Sequence, residues 1–326
     1  MLTLLMETLI LTHKDVRDTL RMDETIRVVE RAFELHGRGL TQMPSKVYLW
    51  FESGDLRAMP AYMERWAGIK WVNSHPDNPN LGLPTVMAVI ILNDPKTGYP
   101  IAIMDATHIT NFRTGASSAV ASKYLARKDS RIFGFVGCGK QSYTQFLALK
   151  EVFDVELVKA YDLNERNAER FVKFCRAWVD ARVECVEGVC DCDILTTSTP
   201  SRKPVIMSEW VREGTHINAV GADAPGKQEL DESLLLKSKI VVDDLEQAVH
   251  GGEINVAISK GILKPEDIYA SLGEIVAGFK VGRESYEEIT IFDSTGLAIH
   301  DVAVAGIVYE RALKDGRGLR LNLVMA

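Results

Sequence analysis

The stretch Ile132-Phe-Gly-Phe-Val-Gly-Cys-Gly-Lys-Gln-Ser142 decides the fold, because it joins an apolar strand to a glycine-rich loop and a helix. Residues 132–136 are apolar and suit a buried strand, and residues 142–152 have the apolar spacing of a helix. A strand, a tight loop and a helix in this order form the first unit of a parallel α/β sheet.

The loop within this stretch predicts a binding site for a dinucleotide. Gly137 allows a tight turn, Gly139 lets the backbone approach a pyrophosphate at the helix N-terminus, and Ser142 permits close packing of helix on strand. The predicted cofactor contacts in this loop are Gly137, Gly139, Lys140, Gln141 and Ser142.

An acidic residue at the tip of the next strand strengthens this prediction. Residues 157–161 form that strand, and Asp162 follows it at the position where a carboxylate accepts hydrogen bonds from an adenosine ribose. The same charge repels the 2′-phosphate of NADP, so NAD is the predicted cofactor. Arg166 is an alternative partner for that phosphate, although a solvated helix residue is the favoured interpretation.

Further strands alternate with helices towards the C-terminus, which predicts an α/β fold with a Rossmann-type, doubly wound parallel sheet. The predicted strands are residues 193–197, 216–220, 240–243 and 289–292, and a long helix follows at residues 297–313. Ligands bind at the carboxyl ends of such strands. The additional cofactor contacts predicted there are Thr197, Ser198, Val220 and Ser294.

The first third of the chain has a different pattern, typical of an α+β domain with a mostly antiparallel sheet. Asp23 is predicted to cap a helix, and strands are predicted at residues 46–51, 68–72, 85–92 and 99–104, the last two as a hairpin. We predict a substrate-binding and dimerisation domain at residues 1–118, completed by residues 302–326, and an NAD-binding domain at residues 119–301.

Composition excludes several classes of protein. The chain is 46% hydrophobic and 25% charged, with a net charge of -7, which disfavours nucleic acid and anionic membranes as partners. No apolar run is long enough to span a bilayer, and the N-terminus lacks the basic leader of a signal peptide. The five cysteines show no metal-ligand spacing. We therefore expect reduced thiols, no metal and a cytoplasmic location.

Several sequence blocks resemble the ornithine cyclodeaminase/mu-crystallin family over nearly the whole chain. They are Met59-Pro-Ala, Lys70-Trp-Val-Asn-Ser-His-Pro76, Leu83-Pro-Thr-Val-Met87, Arg113-Thr-Gly-Ala116, Gly137-x-Gly139-x-Gln141-Ser142, Asn218-Ala-Val-Gly-Ala-Asp223 with Pro225-Gly-Lys, and Asp293-Ser-Thr-Gly296. The resemblance implies a homodimer and a substrate cleft between two domains, with Lys70, Arg113 and Asp223 among the cleft residues. Within the family, the pattern is most similar to alanine dehydrogenases of the archaeal type.

Two positions depart from the cyclodeaminase pattern. Arg57 occupies a position where cyclodeaminases carry a glutamate suited to ornithine's distal ammonium, and Lys46 replaces an arginine expected to face the substrate carboxylate. The predicted cleft thus contains Lys46, Arg57, Lys70 and Arg113, with no evident carboxylate to bind a basic side chain of a substrate. This charge favours a small anionic 2-oxo acid such as pyruvate, with ammonia as the co-substrate.

The residues themselves support catalytic and binding roles. Lys70 lies mid-strand, where an unpaired ammonium is costly, and Asp223 follows a strand end. Arg113 precedes Thr114, a further predicted cofactor contact, at the start of a small-residue helix pattern. Lys70 and Asp223 are the predicted acid and base, in either order, and Lys46, Arg57 and Arg113 are predicted to bind the substrate carboxylate.

The activity that the resemblance implies is NAD-dependent, reversible oxidative deamination of L-alanine to pyruvate and ammonia. A cyclic-imine (ketimine) reductase or an ornithine cyclodeaminase is the alternative on the same scaffold. A non-catalytic, crystallin-type ligand-binding protein is the second alternative, and the presence of Lys70, Arg113 and Asp223 argues against it.

Overall fold

The protein, here a computed structural model, is described over residues 7–324, so residues 1–6 and 325–326 of the predicted first domain lie outside the described part. The strands are β1 (Thr8–Leu11), β2 (Thr41–Gln42), β3 (Val47–Phe51), β4 (Gly54–Met63), β5 (Trp66–Ser74), β6 (Ala88–Asn93), β7 (Pro100–Asp105), β8 (Ile132–Val136), β9 (Leu157–Tyr161), β10 (Asp180–Val183), β11 (Ile194–Thr197), β12 (Arg202–Ile206), β13 (His216–Ala219), β14 (Gln228–Leu230), β15 (Lys239–Val242), β16 (Ala270–Ser271), β17 (Thr290–Asp293) and β18 (Leu319–Leu321).

The helices are α1 (His13–Thr19), α2 (Met22–Gly37), α3 (Thr107–Leu125), α4 (Lys140–Leu149), α5 (Glu165–Cys175), α6 (Val186–Cys190), α7 (Glu232–Leu236), α8 (Leu245–Gly251), α9 (Asn255–Ser259), α10 (Leu272–Val276) and α11 (Ala298–Lys314). The helices and strands belong to two compact units. The first unit extends to Arg113 and resumes at Leu297, and the second unit is Thr114–Gly296.

The sheet of the first unit is mostly antiparallel, as predicted. Its order is β18-β1-β7-β6-β5-β4-β2, with β3 also paired to β4, and the pair of β1 with β7 is parallel. The predicted hairpin is present as β6 and β7. One face of the sheet is covered by α11, which contacts β4, β5 and α2. Most residues in the first half of α11 are buried, in keeping with its apolar sequence.

The main sheet of the second unit is parallel throughout, which confirms the predicted Rossmann-type fold. Its order is β10-β9-β8-β11-β13-β17-β15-β16. From β8 the chain first builds outwards through β9 and β10, and then returns to add β11 on the other side of β8. In open parallel sheets this reversal creates a crevice at the carboxyl ends of the two central strands, where ligands bind.

Two local predictions differ from the structure, and one strand was not predicted. Asp23 does not cap α2, because the helix begins at Met22 and its N-cap is Arg21. Arg113 does not start a helix, because α3 begins at Thr107 and Arg113 lies well inside it. The backbone amides near Arg113 are therefore within the helix and not at its N-terminus. The ten-residue strand β4, which carries Arg57, was not predicted.

The cysteines agree with the prediction of reduced thiols. None of the five, all within the described residues, forms a disulfide, and four of them are buried. Burial raises the pKa of the Cys138 thiol to about 12, which makes this thiol a poor nucleophile. Within residues 7–324, we find no helix that meets the length and hydropathy needed to cross a bilayer.

Candidate active site

The buried face of the first unit's sheet carries a group of charged residues. Side chains alternate along a strand, so Asp55, Arg57 and Met59 of β4 point to the same face. Met59 pairs across the sheet with Lys70 of β5, and Arg57 pairs with Val72. The register therefore places Arg57 and Lys70 on one face, although thirteen positions separate them in sequence.

Asp301 of α11 connects two of the predicted cations. Its carboxylate lies 2.7 Å from Nζ of Lys70 and 3.0 Å from Nε of Arg113. Lys70 is only 1% exposed and Asp301 is fully buried. Burial alone would raise the pKa of Asp301, but Arg113 and Lys70 outweigh it and lower that pKa below its ordinary value. Asp301 is thus held as an anion between two cations.

The environment of Lys70 favours proton exchange near neutral pH. Burial lowers the pKa of Lys70 to about 7, Arg113 and Lys46 shift it in the same direction, and Asp301 opposes the shift. A group with a pKa near the working pH is suited to act as a general acid or base. Lys46, on the segment before β3, is half-buried and close enough for its charge to influence Lys70.

Arg57 also has a carboxylate partner. Its Nε and Nη2 donate to the two carboxylate oxygens of Asp55, at 2.6 and 3.0 Å, and its guanidinium lies over the ring of Tyr48. Two carboxylates, Asp55 and Asp301, thus lie among the predicted cations, and each is paired with cations of the chain itself. The four cations still outnumber these two carboxylates, which favours an anionic ligand.

The glycine loop of the second unit has the geometry of a phosphate-binding turn. Gly137 has a φ of +90°, and a Cβ on it would lie 2.7 Å from the backbone oxygen of Ser198, so only glycine fits there. Gly139 is the N-cap of α4, and a Cβ placed on it would meet no atom within 4 Å. The backbone of this loop is thus open to a ligand at a helix N-terminus.

The side chains that follow Gly139 stabilise this turn. Lys140 and Gln141 are the first two residues of α4, and the buried Ser142 donates its hydroxyl to the backbone oxygen of Gly139 at 2.6 Å. Ser142 therefore holds the loop against the helix, and Lys140 places a cation at the helix N-terminus. This arrangement suits an anionic pyrophosphate.

Asp162 lies at the tip of β9, next to the glycine loop. One of its oxygens accepts the backbone N–H of Cys138 at 2.7 Å, and the other accepts the N–H of Asn164 at 2.8 Å. A longer bond from Nδ2 of Asn167, at 3.4 Å, reaches the same oxygen as the N–H of Asn164. Because a carboxylate has about four acceptor sites, these bonds orient it and leave a lone pair on the oxygen that binds Cys138. Asp162 can therefore accept ribose hydroxyls while it holds the loop.

The remaining predicted cofactor contacts lie at neighbouring strand ends, apart from Thr114 in α3. Ser198 donates its hydroxyl to the backbone oxygen of Gly137 at 2.9 Å, and the N–H of Val220 bonds to the backbone oxygen of Thr197. The backbone of Ser294 bonds to Ala219. Thr114 lies within α3 and is buried. Backbone hydrogen bonds thus join the end of β11 to that of β13, and the end of β13 to that of β17.

Two observations qualify the predicted roles at these strand ends. The hydroxyl of Thr197 donates to the carboxylate of Glu229 at 2.8 Å, so its proton is engaged within the protein. Asp223, in the loop after β13, forms an ion pair with Lys227. Lys70 belongs to the first unit and Asp223 to the second.

Sequence reasoning missed three residues that organise these groups, namely Asp55, Asp301 and Glu229. For Asp301 a signal was present, because it interrupts the apolar run of α11, and charged residues are almost never fully buried without a partner. For Asp55 and Glu229 the sequence contains no comparable signal. No group of three or more metal-ligating side chains occurs in the described part of the chain.

Comparison with known proteins shows the family. The sequence model of the ornithine cyclodeaminase/mu-crystallin family matches residues 6–316. This chain belongs to the ornithine cyclodeaminase/mu-crystallin family. One family member, the alanine dehydrogenase of Archaeoglobus fulgidus, is 61% identical over 318 residues, which cover 97% of this chain and 99% of that protein.

Two solved structures from the family are similar over their full length. An archaeal alanine dehydrogenase dimer with bound NAD superposes with a TM-score of 0.97 at 61% identity, over 98% of this chain and 100% of that one. The Delta(1)-pyrroline-2-carboxylate reductase of Thermococcus litoralis, in complex with NADH and L-proline, superposes with a TM-score of 0.94 at 41% identity, over 96% and 100%. Both structures are of oxidoreductases.

Proposed function

We propose that this chain is an NAD-dependent alanine dehydrogenase, which interconverts L-alanine with pyruvate and ammonia. The observation that carries the proposal is the 61% identity to the Archaeoglobus fulgidus enzyme across nearly the whole of both chains. The excess of cations around Lys70 supports it independently, because this charge suits a small oxo acid and not a diamino acid.

The residues of the second unit fit NAD. The pyrophosphate would bind at Gly137, Gly139 and the N-terminus of α4, and the adenosine ribose would bind at Asp162. NAD, when bound, supplies the acceptor for the hydride that leaves the α-carbon of alanine. The carboxylate of Asp162 would disfavour NADP, because its charge repels a 2′-phosphate.

In the first unit, Arg57, Arg113 and Lys46 would hold the substrate carboxylate through charge-assisted contacts, each contributing roughly 1.5–3 kcal/mol. Lys70 would exchange a proton at the carbonyl oxygen of pyruvate or at the hydroxyl of the carbinolamine. Asp223 would then exchange a proton with the amino group or with the attacking water. The two proton-transfer roles can also be assigned in the reverse order.

The assembly we propose is a homodimer formed by the first unit, the substrate-binding and dimerisation domain, while the second unit is the NAD-binding domain. Large apolar side chains are exposed on the face of the first unit's sheet opposite Lys70, namely Val47, Leu49, Phe51, Trp71, Val89 and Ile91. Contiguous exposed apolar surface of this kind marks an interaction site. We propose the cytoplasm as the compartment, in keeping with the free cysteines.

A cyclic-imine reductase is the second candidate, favoured by the 41% identity to the Thermococcus litoralis reductase. Such an enzyme would use the same cations and the same hydride donor, so its substrate alone distinguishes it. Oxidation of NADH should be measured with ammonia and a panel of 2-oxo acids, and separately with cyclic imines. Pyruvate as the best substrate supports the dehydrogenase, whereas preference for a cyclic imine without ammonia would reject it in favour of the reductase.

A further inference from the structure

Glu229 of β14 is a fully buried carboxylate that binds two separate loops of the second unit. It accepts the hydroxyl of Thr197, the last residue of β11, at 2.8 Å and the backbone N–H of Thr199, in the loop that follows, at 2.6 Å. It also accepts the N–H of Gly221, from the loop after β13, at 2.8 Å. One side chain therefore fixes the distance between these two loops.

Both loops lie at the carboxyl edge of the parallel sheet. The order β8-β11-β13 places them beside the glycine loop that follows β8. Ser198, between the two threonines, bonds to Gly137 of that loop. In dinucleotide-binding sheets the ligand crosses this edge at the reversal of strand order. A dinucleotide bound in this way would have its half beyond β8 over the loops that Glu229 joins.

The contact with Gly221 is unusually close. A Cβ at this position would lie 2.6 Å from the Glu229 carboxylate and 2.2 Å from the backbone oxygen of Thr199. Only glycine allows the loop after β13 to approach the carboxylate this closely. Sequence and structure therefore agree that the two loops are held together tightly at this point.

Glu229 is itself held by a second buried carboxylate. Glu253, between α8 and α9, accepts the backbone N–H groups of Glu229 and Leu230 at 2.9 and 2.7 Å. Burial raises the pKa of both glutamates, and the charge of Glu229 raises the pKa of Glu253 further. Within residues 7–324, the donors to Glu229 are hydroxyl and amide groups without a cation. Burying a carboxylate in this way is costly, so a simple packing role would not favour it.

We propose that Glu229 is a positioning residue for the nicotinamide half of NAD, because it holds the loops at Thr197–Thr199 and Gly221 in one arrangement. This inference rests on the proposed function and deepens it. The adenosine half of the cofactor would be held by Gly137 and Asp162, which Glu229 does not contact. Loss of the Glu229 carboxylate should therefore weaken binding of the nicotinamide half more than binding of the adenosine half.

The test compares NADH with ADP-ribose, which lacks the nicotinamide. Dissociation constants are measured for the unmodified protein and for E229Q, whose amide replaces one acceptor oxygen with a donor. E229Q should raise the Kd of NADH about fivefold to tenfold, the equivalent of one buried hydrogen bond. The Kd of ADP-ribose should change by less than about twofold.

A matched control distinguishes positioning from general stability. Asp193 is a buried carboxylate of the same unit that accepts the N–H groups of Arg131 and Ile132, but it lies at the amino end of β11. D193N should lower the melting temperature and leave both dissociation constants unchanged. If E229Q yields no folded protein, E253Q takes its place, because it loosens the backbone of Glu229. E253Q should also raise the Kd of NADH more than that of ADP-ribose, but by a smaller factor than expected for E229Q.

The outcomes separate this inference from the proposed function. If E229Q raises the Kd of NADH and of ADP-ribose equally, or leaves the Kd of NADH unchanged, the role of Glu229 is overturned. The proposed function of the unmodified protein as an alanine dehydrogenase would remain. An equal rise of the NADH Kd in D193N also overturns the role of Glu229. If the unmodified protein binds no NADH, the proposed function fails, and the role of Glu229 fails with it.

Discussion

Lys70 and Asp301 form a buried ion pair in which the ammonium nitrogen lies 2.7 Å from a carboxylate oxygen. The same carboxylate binds Arg113 through its second oxygen. Asp301 therefore influences both the protonation of Lys70 and the orientation of Arg113. Breaking a buried pair by removing one partner typically costs 3–5 kcal/mol, so the effect on the site should be large.

Replacement of Asp301 by asparagine should shift the pH dependence of alanine oxidation. In this direction Lys70 would act as a base, so kcat/KM should rise with pH around the pKa of Lys70, about 7. Asp301 stabilises the ammonium form, so D301N should lower this pKa and move the inflection to lower pH. D55N, which removes the partner of Arg57, should leave the inflection in place. An unchanged inflection in D301N would show that the observed pKa belongs to another group.

Arg57 separates the two substrate classes, and its charge reversal should impair the reaction with pyruvate. R57E would place a second carboxylate beside Asp55 and remove a contact to the substrate. We expect kcat/KM for pyruvate amination to fall roughly tenfold to a hundredfold, corresponding to roughly 1.5–3 kcal/mol. R57K keeps the charge but loses the two-point contact with Asp55, so its kcat/KM for pyruvate amination should fall less than that of R57E.

The unmodified protein should leave ornithine untouched, since Arg57 repels a distal ammonium. Unchanged pyruvate kinetics in R57E would place Arg57 outside the substrate site. Ammonia release from ornithine by the unmodified protein would be more damaging, because it would favour the cyclodeaminase as the function.

Asp162 should set the preference for NAD over NADP. D162A removes the charge that repels the 2′-phosphate, so the ratio of kcat/KM with NAD to that with NADP should fall. The ratio is the appropriate measure because Asp162 also accepts the N–H of Cys138, and its loss loosens the loop for both cofactors. D162N, which removes the charge but keeps one acceptor oxygen, should change the ratio in the same direction. Equal efficiency with both cofactors in the unmodified protein would contradict the prediction.

The exposed apolar face of the first unit should mediate dimerisation. Sedimentation at micromolar concentration should show at least a dimer, and W71E should weaken it, because Trp71 is 40% exposed on that face. Leu163, which is 94% exposed in the second unit, provides the matched control, and L163E should remain dimeric. A monomer of 36.3 kDa from the unmodified chain would reject the proposed assembly.

The second unit was largely predictable from its sequence. The strand and loop at residues 132–139 were recognised because buried strands are continuously apolar, and because the conformation of Gly137 depends on its own lack of a side chain. The strand β4 was not recognised, although it is the longest within residues 7–324. Its sequence mixes Asp, Arg, Pro and Met, and it is stabilised as a strand by pairing with β3 and β5.

The sequence by itself determined the residue types of the site: glycines where the chain must turn, an acid at the end of β9, and cations on the substrate side. Only the tertiary structure decided their partners. Asp301 lies 231 positions after Lys70 and 188 after Arg113 in sequence, and Glu229 binds loops that come 30 positions earlier and 8 earlier. Turn chemistry acts between neighbours and can be recognised locally. The pairing of buried charges depends on which side chains the folded chain brings within hydrogen-bond distance, so the ion pair between Lys70 and Asp301 exists only once the sheet and α11 have packed together.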